Sequence, residues 1–248
     1  MNRIFFIVTK ESEATFSKYL SPSLKPINCE CVAVSNEPGK IESTPKKYNL
    51  GLQALLGRGD IPDDGIFVFC NEDIKIVDNA FREKVEIIFN ETDAALIGTA
   101  GTISLEENCD WRKSKAENIK GHYLLEVAGD RIGKHISTGE IGFFNEVVAI
   151  DNSIVITQAK YLKEGIRFDP NVSTDKDLAD FMAADFALQF LKKGHRTAVA
   201  DILIYKRTTP SDKLDNVKFR AKWDDLGFPI TIDKFKLGDA NNVMEIEI

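Results

Sequence analysis

Two neighbouring acidic side chains stand where they could hold a metal ion. An apolar run, 66–70, leads directly into Asn71, Glu72 and Asp73. A continuous apolar run with aromatic and β-branched members predicts a strand covered on both faces, as in a parallel sheet. Ligands of such sheets bind at the carboxyl ends of the strands. Carboxylates placed there can hold a divalent cation, which in turn can bind a phosphate. An acidic loop without any ion is the alternative.

A third acid, Asp185, stands on a helix face that is otherwise apolar. At about 100° per residue it falls between Phe181, Met182 and Leu188, in a helix predicted for 175–193. A carboxylate is rare on such a face unless it is paired or functional. Partial burial raises the proton affinity of a carboxylate, which suits a general base. A buried acid paired with a lysine or arginine is the alternative.

The elements that must position these acids alternate along the first part of the chain. This alternation predicts an α/β fold with a mostly parallel sheet, right-handed crossovers and helices on both faces. Ser12 is the expected N-cap of the first helix, and Pro45 suits the first turn of the second. Strands are predicted at 4–8, 30–34, 66–70 and 94–98, and helices at 12–20, 44–56 and 81–89.

The rest of the chain is less regular. The segment 105–145 is polar and lacks a sustained period, which predicts binding loops with a short hairpin near 127–132. Strands are expected near 146–156 and 197–205, with a short helix capped by Thr157 between them. A charged tail of little period follows. We therefore predict one domain, residues 1–209, and a C-terminal extension, residues 210–248.

Composition excludes some classes of function. The 248 residues are 43% hydrophobic and 29% charged, as in an ordinary soluble globule. The net charge of -7 argues against general binding of nucleic acid, which needs a basic patch. No stretch reaches the roughly 18 apolar residues of a membrane helix, and 4–8 is too short for the core of a signal peptide. A cytoplasmic location is expected. The 4 cysteines lack paired zinc spacing and are expected to be buried thiols.

The order of these features resembles the GT-A fold of glycosyltransferases, a Rossmann-like fold whose signature is an acidic D-x-D triplet at the end of a strand. More closely, residues 1 to 209 resemble the family-2-like glycosyltransferases related to a streptomycin-biosynthesis protein. The matching patches are Tyr48-Asn49-Leu50-Gly51, the triplet Asn71-Glu72-Asp73, the strand from Val147 to Asp151, and the run from Gly165 to Asp169, followed by Asp185, Gly194 and the strand from Val199 to Tyr205.

This resemblance implies transfer of a sugar from a nucleotide-sugar donor to an acceptor whose identity stays open. It favours a UDP-linked donor and inversion at the sugar. It implies Asp73 as the ligand of Mg²⁺ or Mn²⁺, and Asp185 as the base that takes the proton of the acceptor hydroxyl. The residues that it places near the donor are Thr9, Lys10, Ser35, Asn36, Asn49, Asn71, Glu72, Asp73 and Asp151.

Two departures from the family pattern bear on the metal. The triplet begins with Asn71 rather than Asp. Many related enzymes have a histidine at the end of the closing strand that can complete the metal site. Here Tyr205, Lys206 and Arg207 stand there instead. A lysine or arginine could neutralise the diphosphate itself, so metal dependence stays open.

Two other functions stay open as well. One is a non-catalytic domain of the same fold that binds a sugar nucleotide, a glycan or a protein partner. The other is a phosphoacceptor domain of the doubly wound signalling type, with Asp73 as the acceptor. That chemistry needs an acidic pair after the first strand, where Thr9 and Lys10 stand.

Overall fold

The structure, a computed structural model, describes residues 2–36, 42–125, 134–137, 144–172, 181–207 and 216–235. Its helices are α1 (Glu13–Lys18), α2 (Ser21–Ile27), α3 (Thr44–Leu56), α4 (Phe81–Glu91), α5 (Ala159–Lys163), α6 (Met182–Lys192) and α7 (Val217–Trp223). Its strands are β1 (Ile4–Thr9), β2 (Glu30–Val34), β3 (Ile66–Asn71), β4 (Ile74–Ile76), β5 (Ala94–Gly98), β6 (Ala100–Thr102), β7 (Ser104–Leu105), β8 (Ile119–Leu125), β9 (Lys134–Ser137), β10 (Phe144–Glu146), β11 (Ala149–Ile150), β12 (Ile154–Gln158), β13 (Arg196–Ala200), β14 (Ile204–Lys206) and β15 (Ile230–Thr231).

The central sheet has 7 strands in the order β10-β13-β5-β12-β3-β1-β2. Strand β1 runs parallel to β2 and β3, and β13 runs parallel to β5. Strand β12 lies antiparallel between β3 and β5, and β10 is antiparallel to β13. The predicted mostly parallel sheet is therefore confirmed. The insertion of β12 was not predicted, because an apolar run predicts a strand but not its neighbours or its direction.

Apolar side chains cover both faces of this sheet. In β1, Ile4, Phe6 and Val8 belong to one buried cluster, while Phe5 and Ile7 belong to another. Helices α2 and α4 contribute to the first cluster, and α3 and α5 contribute to the second. The alternation along β1 is the two-residue period of a strand that is buried on both sides. Helices on both faces are therefore confirmed.

A second sheet lies beyond the acidic triplet. Its 6 strands include β11-β6-β8-β14-β4 in that order, with β9 paired to β8. Strands β8 and β9 form an antiparallel pair inside the segment that we predicted as loops, and the predicted hairpin 127–132 lies outside the described residues. In β8, Gly121 has φ 84, and a Cβ there would lie 2.2 Å from the Thr99 carbonyl oxygen. Glycine allows this close approach but weakens the sequence signal of a strand.

Local signals set several helix ends as predicted. The Ser12 side chain accepts a hydrogen bond from Thr15 N and caps α1, and α3 carries Pro45 in its first turn. The cap predicted at Thr157 is wrong. Helix α5 follows Gln158, and Thr157 Oγ1 instead donates to the Ala95 carbonyl oxygen at 2.6 Å. Thr157 thus belongs to the strand that precedes the helix.

Two short helices escaped prediction because little in their sequence favours a helix. Helix α2 contains a proline in its interior, Pro26, which usually excludes one. Helix α7 lies in the predicted charged tail, yet Phe219 is 0% and Trp223 is 3% exposed. These two aromatic residues are four positions apart and share one face of the helix. No helix in the described parts of the chain is both long and apolar enough to cross a membrane.

Candidate active site

The first three strands bring their carboxyl ends to one edge of the central sheet. Thr9 at the end of β1 pairs with Asn71 at the end of β3 on one side and with Val34 of β2 on the other. The polar residues predicted to follow these strands therefore lie together at this edge, which we call the donor edge. They are Thr9, Lys10, Ser35, Asn36, Asn71, Glu72 and Asp73.

Asn71 is the centre of a small hydrogen-bond group at the donor edge. Its side-chain Oδ1 accepts from Thr9 Oγ1 at 2.6 Å and from Tyr48 Oη at 3.3 Å. Tyr48 is fully buried, and this burial raises its pKa well above the usual value, so the phenol stays a donor. An amide oxygen has two lone pairs, and both are used here. Asn71 can therefore offer a ligand the two donors on its nitrogen.

Glu72 is bound to the backbone ahead of α1. Its carboxylate accepts hydrogen bonds from Glu11 N at 2.8 Å and from Ser12 N at 2.9 Å. A carboxylate near the start of a helix is favourable because unpaired N–H groups and the helix dipole meet it there. The middle residue of the triplet thus holds the tip of β3 to the loop that follows β1.

Asp73 is 8% exposed and lies beside the end of the closing strand. Strand β14 is antiparallel to β4, with Lys206 opposite Ile74, and Arg207 N donates to the Asp73 carbonyl oxygen at 3.3 Å. The guanidinium carbon of Arg207 lies 5.8 Å from the ring centre of Tyr19. A cationic side chain therefore follows the closing strand next to the last acid of the triplet.

Asp151 and Lys206 form a buried charged pair at the end of the closing strand. Lys206 Nζ lies 3.7 Å from Asp151 Oδ2 and 6.0 Å from the centre of the Tyr123 ring. Asp151 also accepts a hydrogen bond from Ser153 N at 2.7 Å. Asp151 is 4% exposed and Lys206 is 9% exposed. A buried pair of this kind is held by mutual attraction and costs stability when one partner is removed.

Asn49 makes its hydrogen bonds to the backbone of Phe168. Its Nδ2 donates to the Phe168 carbonyl oxygen at 2.7 Å, and its Oδ1 accepts from Phe168 N at 3.2 Å. The Phe168 ring stacks on Phe186 of α6, with centroids 4.0 Å apart. Asn49 thus joins α3 to the segment that contacts α6. A side-chain Cβ at Gly51 would lie 2.5 Å from Ile7 Cγ2, so this glycine lets α3 approach β1.

Asp185 is completely buried in the first turn of α6. Its Oδ1 accepts from Trp223 Nε1 at 2.9 Å and lies 2.7 Å from Lys222 Nζ, and its Oδ2 accepts from Gln189 Nε2 at 2.8 Å. Burial raises the pKa of Asp185 above its usual value, and Lys222 opposes that rise. The burial expected from the apolar stripe is confirmed.

The partners of Asp185 on α7 were missed by sequence reasoning. Lys222 Nζ also lies 2.8 Å from Asp169 Oδ2. Burial acts to raise the pKa of Asp169, but hydrogen bonds from Lys222 and from Asn171 N bring it below the usual value. The aromatic spacing of α7 was the one signal that could have placed this helix against the core.

A second missed residue is Lys47, which is 1% exposed. Its Nζ lies 3.1 Å from Glu11 Oε1 in the loop that follows β1. Lys47 is four residues ahead of Gly51 on α3 and shares its face. Its position beside the apolar stripe of α3 is the one sequence signal that could have placed it near the sheet.

The residues that could hold a metal are few. Within the described ranges, no group of three or more His, Cys, Asp or Glu side chains is placed to bind one. The Glu72 carboxylate binds backbone N–H groups. The metal-binding role of Asp73 that the resemblance implies stays a prediction. Mg²⁺ is commonly bound by one or two carboxylates together with substrate phosphates. A single carboxylate beside a diphosphate is compatible with that mode of Mg²⁺ coordination.

Comparison with known proteins gives one family and several similar structures. The sequence model of a family described as "Glycosyltransferase like family" matches residues 5–211. The search of curated proteins finds no match. Among solved structures, GalNAc-T7 with UDP, GalNAc and Mn²⁺ is similar with a TM-score of 0.53 and 8% identity, over 84% of this chain and 44% of that chain. This similarity concerns the fold alone.

Two more structures reach lower scores. The mannosyltransferase PcManGT from Pyrobaculum calidifontis, in complex with GDP-Man and Mn²⁺, has a TM-score of 0.44 and 12% identity, over 88% of this chain and 59% of that chain. A glycosyltransferase involved in the glycosylation of the major capsid of PBCV-1 has a TM-score of 0.42 and 6% identity, over 90% of this chain and 99% of that chain. The present chain thus spans about half the length of GalNAc-T7 and somewhat more of the mannosyltransferase.

Proposed function

Because the chain belongs to the glycosyltransferase-like family, with the GT-A fold, we propose that it transfers a sugar from a UDP-linked donor to an acceptor hydroxyl, with inversion. The observation that carries the proposal is the donor edge, where the ends of β1, β2 and β3 meet in register. The UDP and Mn²⁺ named for GalNAc-T7 support the choice of donor. Thr9, Asn71 and Lys10 would contact the nucleotide there, together with the exposed Ser35 and neighbouring Asn36.

Asp73 would hold a divalent cation, Mg²⁺ or Mn²⁺, at this edge. When bound, such a cation stabilises the negative charge of the departing diphosphate. Arg207 follows the closing strand beside Asp73 and would add positive charge there. The buried pair of Asp151 and Lys206 would support the same end of the strand. The ratio of the nucleotide affinities with and without Mn²⁺ measures how far the cationic side chains alone can neutralise the charge of the diphosphate.

Asp185 would act as the base. The acceptor hydroxyl gives its proton to the carboxylate while its oxygen attacks the anomeric carbon, and the bond from that carbon to the diphosphate breaks with its electron pair on the phosphate oxygen. The Asp185 side chain is 1% exposed, so an acceptor has to displace a group that now covers it. Because burial raises the pKa of Asp185, turnover should be lost as pH falls through a value above that of an ordinary aspartate.

A second candidate is a non-catalytic domain of the same fold. The observation in its favour is that Glu72 and Asp185 are both engaged by neighbouring groups. The two candidates share donor binding and differ in turnover. Measurable nucleotide binding without release of the sugar from any tested donor would favour the non-catalytic domain.

The test is a calorimetric titration with UDP, GDP and their sugar conjugates, each with and without Mn²⁺. We expect Mn²⁺-dependent binding that Asp73→Asn weakens at least tenfold. Asp64→Asn is the matched control, since Asp64 is an exposed acid ahead of β3, at the opposite end of the same strand. Equal binding by Asp73→Asn and the native protein would overturn the assignment of Asp73. No binding of any nucleotide would overturn the proposed function.

A further inference from the structure

Helix α7 lies beyond the residues that match the family, yet it is packed into the core. The family match ends at 211, whereas α7 covers Val217–Trp223. Phe219 is 0% exposed, and its ring lies 5.2 Å from the Phe181 ring just ahead of α6. A fully buried aromatic side chain holds the helix in one place through its large apolar area. The position of α7 relative to α6 is therefore fixed by packing, independently of any charge.

Two side chains of α7 reach the carboxylate of Asp185. Trp223 Nε1 donates to Oδ1 at 2.9 Å, and Lys222 Nζ lies 2.7 Å from the same oxygen. Gln189, on α6 itself, takes one position on Oδ2. A carboxylate has about four acceptor positions on its two oxygens. Among the described residues these three donors leave one acceptor position, on Oδ2, which is buried with the rest of the side chain.

Lys222 is itself held from a second side. Its Nζ lies 2.8 Å from Asp169 Oδ2. Asp169 directly follows Phe168, whose backbone is bound by Asn49 and whose ring stacks on Phe186. Lysine is a flexible side chain, so a second carboxylate restricts the place of its ammonium group. The lysine therefore meets Asp185 in a defined position.

We propose that Lys222 and Trp223 are positioning residues for Asp185, so that α7 completes the acceptor half of the active site. This inference rests on the proposed function, in which Asp185 is the base. Lys222 keeps the buried carboxylate ionised, because an opposite charge within hydrogen-bond distance favours the charged form. Trp223 and Lys222 hold Oδ1, so the acceptor hydroxyl would approach Oδ2, beside Gln189, once the group that covers the carboxylate is displaced.

The charges around Asp185 make a clear expectation possible. Among the described residues, α7 contributes one charged group near Asp185, the ammonium of Lys222. Asp169, in the segment ahead of α6, contacts the same ammonium. Helix α6 contributes the neutral side chain of Gln189. Burial acts to lower the pKa of Lys222, but Asp185 and Asp169 together raise it, so the ammonium is charged at neutral pH. Removing it leaves the effect of burial opposed only by the hydrogen bonds from Gln189 and Trp223. Its pKa should then rise by about 1–3 pH units.

The experiment follows the Trp223 indole N–H signal by ¹H–¹⁵N NMR during a pH titration. The chain has 2 tryptophans, and loss of one signal in Trp111→Phe or in Trp223→Phe assigns the pair. The titration midpoint reports protonation of Asp185, to which this N–H donates. We expect Lys222→Met to raise the midpoint by about 1–3 pH units. Lys222→Arg keeps the positive charge and should have a midpoint close to the native value. Lys218→Met, an exposed lysine on the same helix, is the matched control and should leave it unchanged.

The outcomes separate this proposal from the proposed function. If the titration midpoint of the Trp223 indole is the same in folded Lys222→Met as in the native protein, the proposal is overturned. A lysine with only a structural role would change the melting temperature and not the titration midpoint. In the active protein, the acid limb of the pH–rate profile for donor turnover should move with the indole midpoint. A moving midpoint with a fixed limb means that Asp185 is not the base, which also overturns the positioning role. Failure of the proposed function itself is seen elsewhere, as absence of nucleotide binding in the calorimetric titration.

Discussion

Replacing Glu72 by glutamine is predicted to weaken the fold while leaving the donor edge competent. The carboxylate accepts hydrogen bonds from the backbone N–H groups of Glu11 and Ser12 at 2.8 and 2.9 Å. Hydrogen bonds to a charged acceptor contribute about 1.5–3 kcal/mol each. Glutamine keeps one acceptor oxygen and loses the charge, so we expect the free energy of unfolding to fall by about 1–2 kcal/mol. Alanine loses both bonds, with an expected cost of about 3–6 kcal/mol.

Two measurements on the same variants check this prediction. Thermal melting should show a Tm lower by about 2–8 °C for Glu72→Gln, given about 2–4 °C per kcal/mol for a chain of this size. Calorimetric titration with UDP in the presence of Mn²⁺ should give an affinity close to that of the native protein. Asp73→Asn, by contrast, should weaken Mn²⁺-dependent binding at least tenfold. Glu91→Gln, an exposed acid at the end of α4, controls for the loss of one negative charge.

The opposite pattern would refute the reasoning. If Glu72→Gln melts like the native protein and loses Mn²⁺-dependent binding, then the carboxylate binds the metal and the bonds to Glu11 and Ser12 are unimportant. Loss of both stability and binding in Glu72→Gln, with the Glu91→Gln control intact, would mean that the loop after β1 has to be held in place for the donor to bind. Glu72→Ala then distinguishes a metal ligand from a residue that holds the loop. Only in the second case does losing both hydrogen bonds lower the melting temperature further than Glu72→Gln does.

Three further predictions follow from other contacts. Asn49→Ala removes both bonds to the Phe168 backbone and should lower the free energy of unfolding by about 1–3 kcal/mol in urea denaturation; an unchanged value would contradict a linking role. Burial raises the pKa of Cys29 to about 12 and of Cys31 to about 11, so alkylation of the native protein by iodoacetamide should be slow at pH 7 and faster as pH approaches those values. Mass spectrometry checks this, and rapid labelling at pH 7 would contradict it. Asp185→Asn should abolish donor turnover but not UDP binding in calorimetry, because the side-chain partners of its carboxylate lie on α6 and α7; native turnover would contradict its role as base.

Much of the first half of the fold could be predicted because its signals are local. Strand β2 and helix α3 have the bounds that their apolar periods, proline and glycine indicate. The donor edge could also be foreseen, since parallel strands that follow one another through helices end on the same side of a sheet. Each of these inferences needs only the order of the residues along a short stretch. They fix which side chains meet at the edge.

Contacts between distant segments could not be predicted in this way. The insertion of β12 between β3 and β5 depends on a partner chosen across a long separation, and no periodicity encodes that choice. The same holds for Asn49, whose residue type suits both a donor contact and a backbone link. Its amide could have faced either the donor edge or the Phe168 backbone. Only the packing of α3 against the segment ahead of α6 decides between them.

The burial of Asp185 could be predicted from the sequence, but its hydrogen-bond partners could not. Its place on an apolar face already predicted burial, and both the base and the paired acid were consistent with that place. The pairing with Lys222 does not decide against a base, since a buried carboxylate without a cation would take up a proton and lose the ability to accept one at neutral pH. An ion pair and a general base are therefore compatible when the cation leaves one oxygen accessible to a hydroxyl. In this chain Lys222 and Trp223 both bind Oδ1 and Gln189 binds Oδ2, so a hydroxyl that reacts with Asp185 has to reach Oδ2 beside Gln189, after the group that covers it has moved.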